Sequence, residues 1–210
     1  QYAVDNGVSV VISTGNSTLD FDDEWISLPA AFSEVIPGVI SVAAVGNTGE
    51  ITNYSNYGSK VTIAAPGGDN PDGIAGEEYQ ILSTIPYDEY EFFPGTSMAA
   101  PVVAGSVALL KAENPDLTPV EIQNLLQDTA WQYKNLEGFV EGGYYLDLHD
   151  AVREARELSG NQYFSYTLDT ENRHLTVDYG STYIPDYAFG RSDSFDTVSI
   201  PLTVRSIGEN

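Results

Sequence analysis

The stretch from Ala99 to Ala112 restricts the fold of this chain more than any other part of the sequence. A helix over these residues would carry apolar or small side chains on all of its sides, and such a helix belongs in a protein interior. Ala104, Gly105 and Ala108 are small enough for a sheet to approach closely. The stretch therefore predicts a buried helix packed against a sheet.

Four short apolar runs predict the strands of that sheet. They are rich in β-branched residues and show little alternation, which is typical of strands buried on both faces. Each run ends at glycine or proline, where the chain must turn. The runs are Val8–Thr14, Val39–Gly46, Val61–Gly67 and Ile81–Pro86. Gly7, just before the first run, is expected to end a short helix in a left-handed conformation.

Two further helices complete the pattern. Thr118 opens a capping box with Glu121, and Pro119 occupies the first helical position. The segment Leu148–Leu158 reads as a helix that stops at Gly160, with one face formed by Leu148, Val152, Ala155 and Leu158. Strands and helices that alternate with glycine-rich joints predict an α/β fold with a largely parallel sheet.

The character of the sequence changes after Gly160. The remaining segments alternate polar and apolar residues, are rich in tyrosine and threonine, and are separated by Asn, Gly and Asp turns. We therefore predict a domain of residues 1–160 followed by a β-rich extension of residues 161–210.

The charge balance limits the partners of this protein. Eight lysines and arginines oppose 31 aspartates and glutamates, for a formal net charge of -23. Such a surface repels nucleic acid and anionic lipid, so we expect neither as a partner. No apolar run reaches the roughly 18 residues that a membrane span requires. The acidic composition suits a secreted protein, and the absence of cysteine excludes disulfides and thiolate metal sites.

Ser97 lies at the N-terminus of the apolar helix, where a serine serves either as a helix cap or as a nucleophile. Gly95 allows a tight corner before it, and the small residues Ala99 and Ala100 leave space above its hydroxyl. A helix N-terminus also offers backbone N–H groups to developing negative charge. These features favour the nucleophile.

The run Gly95–Gly105, "GTSMAAPVVAG", resembles the nucleophile motif of the subtilisin-like serine proteases, the subtilases. It departs from that motif at Val102, where the family commonly has a histidine that is not the catalytic one. The resemblance extends over most of the chain to Gly160. It implies that residues 1–160 form the C-terminal portion of a three-layer α/β/α subtilisin-like domain, and that Ser97 is the nucleophile of a serine endopeptidase acting on polypeptides.

A second match, "AVDNGVSVVISTGNS" (Ala3–Ser17), resembles the strand and turn that carry the oxyanion-hole asparagine of the family. It implies that Asn16, which by itself would read as an ordinary strand-end turn residue, donates to the oxyanion. By the same resemblance, Ser13, Thr14 and Gly15 form one wall of the primary specificity pocket.

The other two members of a catalytic triad are missing. In subtilases the aspartate and the histidine precede the serine, whereas the two histidines here, His149 and His174, both follow Ser97. We therefore expect an N-terminal segment or a second chain to supply the aspartate and histidine. The alternative is a catalytically inactive subtilisin-like module with a binding or structural role.

An α/β-hydrolase is an alternative hypothesis, because its order of serine, acid and histidine would allow Asp147 or Asp150 to act with His149 or His174. The serine elbow of that fold requires glycine two residues after the nucleophile, where this chain has Ala99. Pro94 also interrupts the run before Ser97, so we disfavour this reading.

No cofactor is required for the expected chemistry, although the resemblance implies structural Ca²⁺. The stretches Asp20–Glu24 and Gly67–Gly73 hold oxygen ligands of the kind that calcium prefers, without the spacing of an EF-hand loop. Neither stretch is favoured individually. The negative field of the protein is expected to steer basic peptides toward it at low salt.

Overall fold

The computed structural model describes residues 1–22, 28–69, 76–160, 166–181, 183–184, 188 and 195–208. The chain divides into two units, residues 1–155 and residues 156–210. Each unit has its own sheets and its own apolar core.

A five-stranded sheet forms the centre of the first unit. The strands of this unit are β1 (Val10–Ser13), β2 (Val39–Val45), β3 (Ile63–Pro66), β4 (Ile81–Ile85), β5 (Glu89–Phe93), β6 (Trp131–Gln132) and β7 (Tyr144–Tyr145). The strand order in the sheet is β1-β2-β3-β7-β6. The first four of these run parallel, and β6 pairs antiparallel with β7. The predicted α/β fold with a largely parallel sheet is confirmed.

In the part of the chain that the structure describes, four α-helices accompany these strands: α1 (Tyr2–Asp5), α2 (Thr96–Glu113), α3 (Pro119–Asp128) and α4 (Leu148–Leu158). Short 3-10 turns lie at Ala30–Glu34, Glu77–Tyr79, Lys134–Leu136 and Glu141–Gly143. Two of the predicted helix signals are confirmed. Gly7 follows α1 with φ +79°, and the capping box of Thr118 and Glu121 is formed at the start of α3.

The core of the first unit lies on both faces of the sheet because successive side chains of a strand point to opposite sides. On β2, Ile40, Val42 and Ala44 pack in one apolar cluster with residues of α2, α3 and α4. Ala43 and Val45 belong to a second cluster, which contains Ala30, Val61, Leu136 and Val140. The α-helices described here therefore cover one face, and turns and loops cover the other.

The prediction that α2 is buried on all sides was wrong. Ala99, Val103 and Leu110 are fully buried against the sheet. The opposite side forms an exposed apolar stripe, which we call the α2 stripe: Pro101, Ala104, Gly105, Ala108 and Leu109. Within the described ranges of the chain, the sheet covers one side of this helix and nothing covers the other.

Two strand predictions also need correction. All four residues of β1 are only half-buried, because β1 is an edge strand whose outer side has no partner strand among the described residues. The run that begins at Ile81 does not join the main sheet. It forms the first arm of an antiparallel hairpin, β4–β5, in which Ile81 pairs with Phe93.

The second unit is rich in short strands, as the sequence indicates for residues after Gly160. They are β8 (Tyr166–Asp169), β9 (His174–Val177), β10 (Tyr183–Ile184), β11 (Thr197–Ser199) and β12 (Ser206–Ile207). One sheet has the order β11-β9-β8 and the other pairs β10 with β12. Leu175, Val177 and Ile184 form the core of this unit. We retain Gly160 as the proposed boundary because its φ of +66° stops the helix that precedes it.

Candidate active site

Ser97 is the second residue of α2 and not its cap. The cap position is occupied by Gly95, which makes no side-chain cap, and the helix begins at Thr96. The side chain of Ser97 is exposed, and no described residue forms a hydrogen bond with its hydroxyl. The capping interpretation of Ser97 is therefore wrong, and the hydroxyl is open to a reactant.

Gly95 builds the corner that leads into the helix. Its N–H donates to the carbonyl of Gly67 at 2.8 Å, directly after β3. Its φ of +155° lies in a region that side chains rarely allow. A Cβ at this position would lie 3.2 Å from the amide nitrogen of Asn16 and 3.4 Å from the sulfur of Met98. Glycine therefore lets the Asn16 side chain lie against the corner.

Asn16 lies against Thr96 at this corner, one residue before Ser97. The side-chain oxygen of Asn16 accepts a hydrogen bond from the backbone N–H of Thr96 at 3.0 Å and another from the Thr96 hydroxyl at 2.8 Å. Both bonds engage the oxygen, so the side-chain NH₂ remains able to donate hydrogen bonds. No described residue accepts a hydrogen bond from it. A donor held in this way beside an exposed serine hydroxyl suits the stabilisation of an oxyanion.

Thr96 is a functional residue that the sequence reasoning missed. It is buried, and its hydroxyl oxygen accepts a hydrogen bond from the backbone N–H of Gly15 at 3.1 Å while it donates to Asn16. It therefore ties the turn after β1 to the start of α2. The only signal in the sequence was its place between Gly95 and Ser97.

Asn56 is a second residue that the sequence did not reveal. Its buried side-chain oxygen accepts hydrogen bonds from the backbone N–H groups of Ser17 and Leu19, each at 2.9 Å. Its NH₂ donates to the carbonyl of Thr14 at 2.8 Å. Asn56 thus fixes the chain on both sides of Asn16. No local pattern predicts such a contact, because the partners are far apart in sequence.

The three residues expected to line a specificity pocket differ in their environments. Ser13 ends β1 and is half-buried, as is Gly15. The side chain of Thr14 is fully buried, and its hydroxyl donates to the carbonyl of Asn56 at 3.0 Å. Thr14 can therefore contribute to a pocket wall only through its backbone.

The side chains named for the α/β-hydrolase reading are engaged elsewhere. A carboxylate oxygen of Asp147 accepts from the backbone N–H of Asp150 at 3.1 Å, and Asp150 forms an ion pair with Arg153 at 3.0 Å. The ring nitrogens of His174 lie 2.6 Å from the Thr197 hydroxyl and 2.9 Å from the Ser199 hydroxyl. This arrangement gives no support to a triad of Ser97 with these groups.

Tyr54 stabilises the corner that leads into α2. Its hydroxyl donates to the carbonyl of Gly67 at 3.1 Å, the carbonyl that also holds the N–H of Gly95, and it contacts the carbonyl of Gly68. Burial of the ring raises the pKa of Tyr54, and the negative charge of Asp69 acts in the same direction. The phenol is therefore held in its donating, neutral form.

The predicted calcium stretches lie partly outside the described residues, since 23–27 and 70–75 are not described. The Asp22 carboxylate accepts hydrogen bonds from the backbone N–H of Ser59 at 2.7 Å and from the Ser59 hydroxyl at 2.9 Å. The Asp20 carboxylate accepts from the N–H of Asp22 at 2.9 Å. In the described part of the chain, no group of three or more His, Cys, Asp or Glu side chains is arranged to hold a metal. Structural calcium stays a prediction.

A comparison with known protein families identifies the chain. The model of the Subtilase family, peptidase S8, matches residues 1–174. The chain belongs to the subtilase family. Recognition of a subtilisin-like serine protease domain from the Gly95–Gly105 motif is thereby confirmed, and the family match continues past Gly160 into the second unit.

Curated subtilases are similar to this chain over most of its length. Fervidolysin of Fervidobacterium pennivorans is 34% identical over 162 residues, covering 72% of this chain and 22% of that protein. The Extracellular protease of Xanthomonas campestris pv. campestris is 36% identical over 142 residues, covering 67% of this chain and 22% of that protein. The chain thus spans about a fifth of the length of these two relatives.

Solved subtilase structures share the fold. A protease of Pseudoalteromonas arctica has a TM-score of 0.61 at 36% identity, covering 73% of this chain and 44% of that one. A cold adapted subtilisin-like serine proteinase has a TM-score of 0.57 at 32% identity, covering 70% of this chain and 47% of that one.

Among the described residues, no helix has the length and apolar character needed to cross a membrane.

Proposed function

We propose that this chain is the nucleophile-bearing portion of a subtilisin-like serine endopeptidase. The observation that supports this function most directly is the Asn16 side chain, held by Thr96 through its oxygen with its NH₂ unengaged, beside the exposed hydroxyl of Ser97. The hydroxyl and the amide belong to segments that are distant in sequence, and the fold brings them to one corner.

In the proposed reaction, the oxygen of Ser97 attacks the carbonyl carbon of a peptide bond while a base takes the hydroxyl proton. The carbonyl oxygen becomes an anion, which the Asn16 NH₂ and the backbone N–H of Ser97 stabilise. The C–N bond then breaks, the amine leaves with the proton, and an ester remains on Ser97. Water hydrolyses this ester and regenerates the hydroxyl.

The base and its orienting carboxylate come from polypeptide outside these 210 residues. Two surfaces of the described chain support such a partner segment. Among the described residues no strand pairs with the outer edge of β1, and an open edge favours the addition of another strand. The α2 stripe is a second such surface, because its apolar residues are exposed.

The proposed substrate is a polypeptide, and the formal net charge of -23 favours basic peptides at low ionic strength. We also propose that the protein is secreted, because its acidic composition suits a secreted protein. It is supported by the similarity to a Xanthomonas campestris relative that is named an Extracellular protease.

A fluorophosphonate probe, which reacts with activated serine hydroxyls, tests the function on the intact protein. We expect covalent labelling at Ser97, none in Ser97→Ala, and much slower labelling in Asn16→Ala. A decrease of about 10²–10³ in kcat for Asn16→Ala is a magnitude taken over from the oxyanion-hole asparagine of subtilisin itself. A well-folded protein that is never labelled would instead indicate the inactive module.

A further inference from the structure

A cavity of about 500 Å³ lies at the carboxyl ends of β2 and β3, where Val45 and Pro66 form part of its lining. No residue of the Ser97 corner lines it. Its other walls come from distant parts of the first unit. The residues that line them include Gly46, Gly68, Glu78, Tyr79, Tyr133 and Tyr145.

One wall of the cavity is held by main-chain contacts. The N–H of Asp69 donates to the carbonyl of Tyr79 at 2.6 Å. Gly68 has a φ of +74°, and a Cβ there would lie 3.1 Å from both the Cα of Gln80 and the carbonyl oxygen of Tyr79. Only glycine lets these two segments approach so closely, and the wall is fixed in place before any ligand arrives.

Aromatic rings form a second wall. The rings of Tyr133 and Tyr145 have centroids 5.6 Å apart and are tilted by 45°. Trp131 stacks on Tyr133 at 6.5 Å with an interplanar angle of 8°, so two neighbouring rings restrict the position of the Tyr133 ring. Tyr79 also lines the cavity. The faces of aromatic rings carry negative electrostatic potential and attract cations.

The charges around the cavity have one sign. Glu78 is the single charged residue among those that line it. The carboxylate of Asp69 reaches the cavity wall at Gly46, where an added Cβ would lie 2.7 Å from a carboxylate oxygen. Lys134 follows Tyr133 in sequence, but it is exposed and does not line the cavity. Carboxylates disfavour an anionic ligand, and together with the rings they favour a cation.

We propose that this cavity binds an organic cation, an alkylammonium or guanidinium group, between the tyrosine rings and the Glu78 carboxylate. The cation belongs either to a lysine or arginine side chain of a polypeptide or to a free small molecule. The site is separate from the peptidase chemistry at Ser97 and requires no turnover.

Isothermal titration calorimetry on the intact protein with Ser97→Ala, which prevents self-digestion, tests this proposal. The probes are choline, its uncharged isostere in which carbon replaces the nitrogen, and lysine blocked at both backbone ends. We expect saturable binding of choline or blocked lysine, and binding of the uncharged isostere at least about tenfold weaker. Tighter binding of blocked lysine indicates a polypeptide source, and tighter binding of choline indicates a small molecule.

Matched variants identify the site. Tyr133→Ala and Glu78→Gln should each weaken cation binding by about three- to tenfold, whereas Tyr133→Phe, which keeps the ring face, should not. Glu77→Gln serves as the control, because Glu77 shares the 3-10 turn with Glu78 but does not line the cavity. Circular dichroism verifies that each variant is folded. Equal binding of the uncharged isostere, cation binding unaffected by both Tyr133→Ala and Glu78→Gln, or no binding of choline and blocked lysine would overturn the proposal.

Discussion

The side-chain oxygen of Asn16 accepts two hydrogen bonds from Thr96, one from its backbone N–H at 3.0 Å and one from its hydroxyl at 2.8 Å. Both bonds engage the oxygen of the amide, so the orientation of the NH₂ follows from them. We therefore propose that Thr96 is a positioning residue, which would act on the proposed reaction through Asn16.

Removal of the Thr96 hydroxyl should slow the chemical step. Thr96→Val keeps the volume of the side chain but loses the bond to Asn16 and the acceptor for Gly15. A hydrogen bond contributes about 1–1.5 kcal/mol, so we expect kcat to fall about tenfold. KM should hardly change, since the buried side chain does not face the substrate. Steady-state kinetics on a chromogenic peptide measures both constants.

Thr96→Ser is the control for that experiment, because it keeps the hydroxyl. We expect its kcat to stay within about threefold of that of the parent. An unchanged kcat in Thr96→Val, or an equal loss in both variants, would show that the hydroxyl does not orient Asn16.

Asn56→Ala should destabilise the first unit. The substitution leaves two part-buried N–H groups, at Ser17 and Leu19, and the buried carbonyl of Thr14 without the side-chain partner that each has now. We expect a decrease of about 3 kcal/mol in the free energy of unfolding, measured by urea denaturation. Asn53→Ala is the matched control, since Asn53 lies in the same loop with an exposed side chain. Similar stabilities of the two variants would contradict the assignment.

Tyr54 should make stability depend on alkaline pH. Burial, followed by the charge of Asp69, raises the pKa of Tyr54 above its usual value of 10.0. The folded state therefore favours the neutral phenol. Its contribution is fully present below a pH of about 10 and is lost as pH rises toward the folded-state pKa. Thermal unfolding across alkaline pH should show a steeper loss for the parent protein than for Tyr54→Phe.

Two control variants delimit that effect. Tyr145→Phe should also flatten the alkaline profile, because burial and the neighbouring Tyr133 raise the pKa of Tyr145. Tyr87→Phe should leave the profile unchanged, since Tyr87 is 93% exposed. Identical profiles for the parent and Tyr54→Phe would mean that the phenol is not protected by the fold.

A charge on the α2 stripe should impair the assembly of the active enzyme. Ala108→Glu places a carboxylate on the exposed side of α2 without disturbing the buried side. If the segment that supplies the aspartate and histidine packs there, burial of this charge is unfavourable. We expect reduced fluorophosphonate labelling of Ser97 and a lower melting temperature in the intact protein.

Asn124→Glu, at an exposed position on α3, is the control for the α2 stripe. It adds the same charge to a helix surface away from the proposed partner and should alter neither measurement. An Ala108→Glu protein that is labelled and melts like the parent would show that the stripe faces solvent.

Local sequence patterns were sufficient for several elements of this fold. The capping box at Thr118, the left-handed stop at Gly7 and the buried strand Val39–Val45 depend on residues close together in the chain. Local patterns did not predict the pairing of β4 with β5, because an apolar run does not determine which strand it pairs with. They failed for α2 as well, because composition describes every side of a helix and burial depends on what lies against each side.

The sequence by itself determined that the chain is a subtilase, and it predicted the roles of Ser97 and Asn16, since each lies within a continuous motif. Only the tertiary structure decided what holds them. Thr96, Asn56 and Tyr54 reach partners 13 to 81 residues away along the chain. Contacts between distant segments arise when the sheet and α2 pack together, and no local periodicity or spacing encodes them.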